Sequence, residues 1–217
     1  MLEDLVALVA PPRCAVCGSD CELRRRLCQR CDLALRRLAP ASSAVAGIDE
    51  TWSAAPYDGT VRHLVAALKF GSRLGLADDA AAMIAGRAPA GLLVGTIVPV
   101  PAAPLRRRKR GFDTAEAIAT RLAKRCGLPL APCLVRAESR RQVGRRRAER
   151  LADPPRVSAV SHVPDEAVLV DDVMTTGATL GACAEALRSG GATRVVAVTL
   201  AASRPSRRRL GVDACAA

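Results

Sequence analysis

Two adjacent carboxylates, Asp171 and Asp172, end an apolar run, and two residues further on the chain reads Thr175-Thr176-Gly177-Ala178-Thr179. A strand that only fills a core has no use for a carboxylate pair at its tip. If the chain turns into a helix here, the backbone N–H groups of Thr175 to Thr179 can converge on an anion at the positive end of the helix dipole. The threonine hydroxyls add donors, and Gly177 permits close approach. Donors for an anion beside a pair of carboxylates suit a phosphate lying close to two hydroxyls, as in a ribose 5-phosphate. Either acid alone reads more readily as a turn cap, with Thr179 capping the helix. The whole strand, acid pair, Thr-Thr-Gly and helix favours a ligand.

The second chemical constellation is sulfur. Cys14 and Cys17 form one C-x-x-C pair, and Cys28 and Cys31 form another. Two such knuckles can deliver four thiolates tetrahedrally to one structural Zn²⁺, and a segment this small and basic has little else to hold a fold. Cys21 lies between them, able to replace a ligand or to remain free. A redox pair or a set of packed thiols is the alternative, and the doubled spacing favours zinc. Nine cysteines is an odd number, unsuited to a closed disulfide framework. Cys126, Cys133, Cys183 and Cys215 read as packing residues, and the isolated His63 and His162 receive no role.

Both constellations need elements to position them. After a polar joint over 40–47, the sequence predicts an extended piece over 51–57 and helices near 61–68 and 76–85. A buried-type strand, "GTIVPVP", comes next. An amphipathic helix follows, with Ala115, Ile118, Ala119, Leu122 and Ala123 on one face and Gly127 past its end. "PCLVR" reads as a strand, 137–153 as an arginine-rich loop with a short helix, and 156–160 as a short strand. The strand at 167–170 leads to the acid pair. The helix after it carries Leu180, Cys183, Ala184 and Leu187 on one face, and "RVVAVTLA" closes the sheet. Alternating helices and continuously apolar strands predict an α/β fold with a mostly parallel, doubly wound sheet. The division expected is 1–45 for the cysteine module and 46–217 for the α/β domain.

The bulk properties agree with that class. Half of the 217 residues are hydrophobic, which suffices for a packed core. The aromatics are few, Trp52, Tyr57, Phe70 and Phe112, so the core must be built from Ala, Val and Leu. Residues 1–10 contain Glu3 and Asp4 and lack an export pattern, so the expected location is cytoplasmic. The uncharged stretch 88–105 is interrupted by Pro89, Pro99, Pro101 and Pro104, which argues against membrane insertion.

The segment "AVLVDDVMTTGAT" resembles the phosphoribosyl-pyrophosphate (PRPP) signature of type I phosphoribosyltransferases. Together with the cysteine knuckles, "YDGTVRHLVAALKFGSRLGLA", "VPVPAAPLRRRKRGFDTAEAIA", "SRRQVGRRRAERLAD" and "GATRVVAVTLA", it is similar in order and content to the ComF family. The resemblance implies that Asp171 and Asp172 bind the ribose hydroxyls and that Thr175, Thr176, Gly177, Ala178 and Thr179 cradle the 5-phosphate. It implies a pyrophosphate-receiving turn over 101–104, with Arg110 and its basic neighbours 106–109 close by, and a lid over 138–147. Mg²⁺ would arrive largely held by PRPP itself. Two stretches depart from the family pattern. Asp113 and Thr114 replace an Asn-Gln pair, and Asp113 with Glu116 reads as a helix cap; Arg145 and Asp153 replace a leucine and an asparagine in the lid motif.

A net charge of +12 carries a second reading. Basic clusters at 106–110, 140–150 and 204–209 exceed what one small anion can occupy, and nucleic acid is a partner of matching charge. With so few aromatics, contact would be mainly to phosphates. For the last cluster, at 204–209, biased composition and a solvated surface are the preferred account. The ComF resemblance implies a competence and DNA-uptake context, with single-stranded DNA and a helicase as partners. An adaptor that keeps its PRPP site as a sensor or relic is therefore the alternative to a transferase.

Overall fold

The computed structural model describes residues 12–23, 25–70, 74–137 and 155–203. Its centre is a five-stranded sheet with the order β1-β2-β7-β6-β3. The strands are β1 (Ala41–Ser43), β2 (Glu50–Pro56), β3 (Thr96–Pro99), β6 (Glu166–Met174) and β7 (Arg194–Ala202). All neighbours run parallel except β1, which pairs antiparallel with β2 at the edge. A separate antiparallel pair joins β4 (Leu134–Arg136) to β5 (Val157–Ala159). The helices are α1 (Gln29–Arg36), α2 (Gly59–Phe70), α3 (Leu76–Ala85), α4 (Pro104–Arg110), α5 (Thr114–Cys126) and α6 (Ala178–Ser189).

Strand alternation sorts the core into two layers. Val168 and Val170 of β6, with Val196, Val198 and Leu200 of β7, pack with the helices α2, α3 and α5. Ala167, Leu169, Val195 and Ala197 face the other way, onto Leu180, Cys183, Ala184 and Leu187 of α6. Both faces of the central strands are thus covered, as their unbroken apolar runs require. The small Ala77, Ala80 and Ala81 of α3 are fully buried and let it lie close against α5.

The cysteine module shares the first of these layers. Cys14, Leu27, Cys31 and Leu35 join the same cluster as Leu64 and Leu68 of α2. Arg26 fixes the seam by donating to Asp79 at 2.7 Å, and Arg87 donates to the carbonyls of Leu35 and Leu38.

Four elements differ from the sequence reading. The strand β1 falls in the expected joint; its Ala-Ser-Ser is exposed throughout, so no apolar pattern announces it. The segment 104–110 forms α4, with Pro104 in its first turn and Gly111 closing it at φ 77°. The strands β4 and β5 pair with each other, outside the main sheet. Finally, β6 runs past the acid pair to Met174, because β7 supplies partners as far as Ala202. The reading of 137–153 falls outside the described residues from 138 onwards. Among the described residues, no helix is long and apolar enough to cross a membrane.

Candidate functional site

The strand β3 ends at Pro99, opposite Val170, while β7 continues beside β6. Asp171 and Asp172 therefore occupy the part of β6 that has lost one neighbour, at the carboxyl end of the parallel strands where open α/β sheets bind ligands. The sequence treats the acids as one pair, but strand alternation separates their surroundings. Asp172 turns toward α2, where Lys69 Nζ lies 2.7 Å from its Oδ1 and both side chains are largely buried. Asp171 lies on the α6 side, near enough to Arg136 and Cys183 to perturb both.

The Asp171 carboxyl accepts the backbone N–H of Asp172 at 2.7 Å. Burial, then the negative charge of Asp172, raise its pKa to about 8, against the opposing pull of that N–H and of Lys69; Asp113 raises it further. The shift favours the neutral acid form of Asp171, in which the carboxyl can donate a hydrogen bond. Arg136 is displaced downward, first by burial and then by Arg106, with Cys183 and Asp171 pulling the other way.

Beyond the acids, Gly177 enters α6 at φ 77°, and Thr175, Thr176 and Ala178 are exposed around it while Thr179 is half-buried. Thr176 Oγ1 accepts the Ala178 N–H at 3.4 Å. The close approach that Gly177 permits is made by the protein itself. A Cβ there would stand 2.8 Å from Val45 Cγ2, so the segment after β1 packs on the turn.

The opposite wall comes from the 101–103 turn and α5. Asp113 accepts from Ala115 N at 3.0 Å and Glu116 N at 3.4 Å, the expected cap, and also from Ala102 N at 2.7 Å. One carboxylate therefore ties the turn to the helix. The neighbouring Thr114 hydroxyl is buried without a partner among the described residues. Arg110 lies with its guanidinium carbon 5.1 Å from the centre of the Phe70 ring.

Sequence reading missed Lys69 and Phe70. Lys69 was detectable: it follows Val61 and Val65 at helical spacing on the buried stripe of α2, where a lysine needs an acid. The basic clusters at 140–150 and 204–209, and the lid at 138–147, lie outside the described residues. Of the 106–110 cluster, residues 106–109 are exposed on α4.

The sulfur atoms of Cys14, Cys17, Cys28 and Cys31 lie within 4.8 Å of one another, and those of Cys17 and Cys28 are 3.6 Å apart. Tetrahedral thiolates on zinc stand about 3.8 Å apart, so the four residues fit this metal. The first knuckle is shaped by Gly18, whose N–H returns to the Cys14 carbonyl at 2.9 Å, and the second opens α1 from Cys28. Ser19 draws the Cys17 thiol down to about 5, favouring the thiolate a metal needs. Cys21 stands outside the group of four.

No curated protein matches the chain in sequence. Among solved structures it is similar to a glutamine PRPP amidotransferase from B. subtilis at 22% identity and a TM-score of 0.38, over 56% of this chain and 25% of that one. It is also similar to an orotate phosphoribosyltransferase from Aeropyrum pernix at 18% identity and a TM-score of 0.37, over 78% of each chain. A UMP synthase from Leishmania donovani matches at 16% identity and a TM-score of 0.33, over 78% of this chain and 30% of that one. The chain thus spans about a quarter of the length of the amidotransferase it resembles. Residues 108–215, which contain β6, the acid pair, the threonine-glycine turn and α6, match the family described as the phosphoribosyl transferase domain.

Proposed function

We propose that the chain binds PRPP at the junction of β6 and α6 and transfers its phosphoribosyl group to an acceptor with release of pyrophosphate. The observation that carries this reading is the acid pair at the carboxyl end of β6 leading into the Thr175-Thr176-Gly177-Ala178 turn, whose Thr175, Thr176 and Ala178 are exposed at the N-terminus of α6. The acids would meet the ribose hydroxyls and the turn with Thr179 would hold the 5-phosphate. The turn over 101–103, backed by Arg106 and Arg110, would receive pyrophosphate.

In the transfer, the acceptor's lone pair forms a bond to the anomeric carbon as the bond from that carbon to the pyrophosphate oxygen breaks. The electron pair leaves on pyrophosphate, and the acceptor's proton passes to solvent. The protein contributes position, charge neutralisation and exclusion of water. Mg²⁺ fits as an ion brought by its substrate, since Asp172 is already engaged by Lys69 and phosphate oxygens are its natural ligands. When bound, it neutralises charge developing on the leaving pyrophosphate. The zinc held by Cys14, Cys17, Cys28 and Cys31 would be structural, and the whole would act in the competence context that the ComF resemblance implies.

A rise in thermal stability on adding PRPP with Mg²⁺ tests binding, since a ligand taken only by the folded state stabilises it. Pyrophosphate release that requires an added acceptor and is lost in Asp171→Asn tests transfer. No stabilisation by PRPP removes the reading.

The exposed cations on α4 favour a second reading, in which the protein is a DNA-processing adaptor. It predicts binding to single-stranded DNA that weakens steeply with salt and survives Asp171→Asn with Asp172→Asn.

A further inference from the structure

The cysteine module carries five thiols, of which four form the metal group and Cys21 is the fifth. Arg13 and Asp20 pair in an antiparallel bridge. On either side of it the Cys14 N–H donates to the Ser19 carbonyl and the Cys21 N–H to the Pro12 carbonyl, each at 2.7 Å. Cys14 and Cys21 each follow one member of that bridge, so they project to the same face of the short hairpin. Cys21 is accordingly close enough to Cys14, Cys28 and Cys17 to feel the charge of each. With Cys28 it also lines a solvent-open cleft of about 310 Å³, whose wall carries Asp20, Glu22, Arg25 and Arg30. Cys14 and Cys31 are buried, whereas Cys21 and Cys28 are half-buried. A reagent entering this polar cleft from water thus meets one sulfur of the metal group and one sulfur outside it.

We propose that Cys21 is the resolving thiol of a redox switch: hydrogen peroxide joins it to Cys28 in a disulfide and so withdraws Cys28 from the metal. This rests on the reading of Cys14, Cys17, Cys28 and Cys31 as a zinc centre and does not depend on the phosphoribosyl site. The Cys28 thiolate attacks one peroxide oxygen, the O–O bond breaks and hydroxide leaves, giving a sulfenic acid. The Cys21 sulfur then attacks the Cys28 sulfur. The S–O bond breaks, and the departing hydroxide takes the Cys21 proton as water. Two thiol sulfurs are oxidised and one peroxide is reduced. Cys21 suits the second step because the other three cysteines of the module belong to the metal group, while Cys21 stands outside it. Cys28 directly precedes α1, whose Cys31 and Leu35 pack with Leu64 and Leu68 of α2. The switch therefore acts on the helix that carries Lys69.

Treating the full zinc-loaded chain with hydrogen peroxide in the presence of a chromogenic zinc chelator tests this. The wild type should release its zinc, and tandem mass spectrometry after alkylation should find a Cys21–Cys28 cross-link that a dithiol reductant removes. The oxidised chain should melt below the reduced one. Cys21→Ser should start with the zinc content and melting temperature of the wild type and release zinc at least several-fold more slowly. Three results overturn the switch and leave the metal centre standing: zinc retained by the wild type under peroxide, a release rate unchanged in Cys21→Ser, or a cross-link confined to Cys17 and Cys28, whose sulfurs already stand 3.6 Å apart. A Cys21→Ser chain that lacks zinc from the outset makes Cys21 a ligand and also overturns it. If the wild type takes up no zinc, the metal reading falls and the switch with it.

Discussion

At the scale of single residues, the two acids of the signature are unequal. Asp172 is neutralised by Lys69, whereas Asp171 is raised to about 8 by burial and by its neighbour's charge. Removing Lys69 leaves the largely buried Asp172 carboxylate without its cation, while removing Asp172 also relieves Asp171. Lys69→Met should therefore destabilise by about 2 kcal/mol, and Asp172→Asn by less, as urea unfolding would show. The Asp171 shift also sets a pH dependence. Its folded pKa of about 8 exceeds the unfolded 3.8, so its contribution is fully present below the unfolded value and is lost as pH rises through the folded one. Asp171→Asn removes that loss. Melting temperatures should show the variant above the wild type by most at alkaline pH, with the gap closing as the pH falls toward 4; an unchanging gap would refute the assignment.

At the scale of elements, the strand-turn-helix around the acids was legible because continuous apolar strands and Gly-punctuated helices carry strong periodicity. The edges were less so. The strand β1 pairs through its backbone with no buried side chain, and β6 extends past the acids because of its neighbour β7, a tertiary cause invisible in local pattern. Gly177 illustrates the same limit. Its left-handed φ is readable from a turn, but its contact with Val45 spans most of the chain. Gly177→Ala should lose about 1–2 kcal/mol from backbone conformation and at least about 1 kcal/mol from overpacking. In a Val45→Ala background only the first part should remain, so a double-mutant cycle on chemical denaturation separates the two.

For the molecule as a whole, the cysteine spacing announced a cluster of four sulfurs able to hold a metal, yet nothing in it foretold that this module is packed into the same apolar layer as the helix carrying Lys69. Cys14 and Cys31 are buried with Leu64 and Leu68 of α2, and Arg26 pins the module to α3. A metal that holds Cys28 and Cys31 at the start of α1 therefore also holds one wall of the candidate site. Loss of a ligand should be felt at a distance. Cys31→Ala in the full chain should lose one equivalent of zinc, read by a chromogenic chelator after denaturation, and should lower the melting temperature. It should also reduce the stabilisation gained from PRPP with Mg²⁺, because Lys69 then loses its fixed approach to Asp172. If zinc is lost while the PRPP-dependent rise is unchanged, the module and the site are mechanically independent despite their common core.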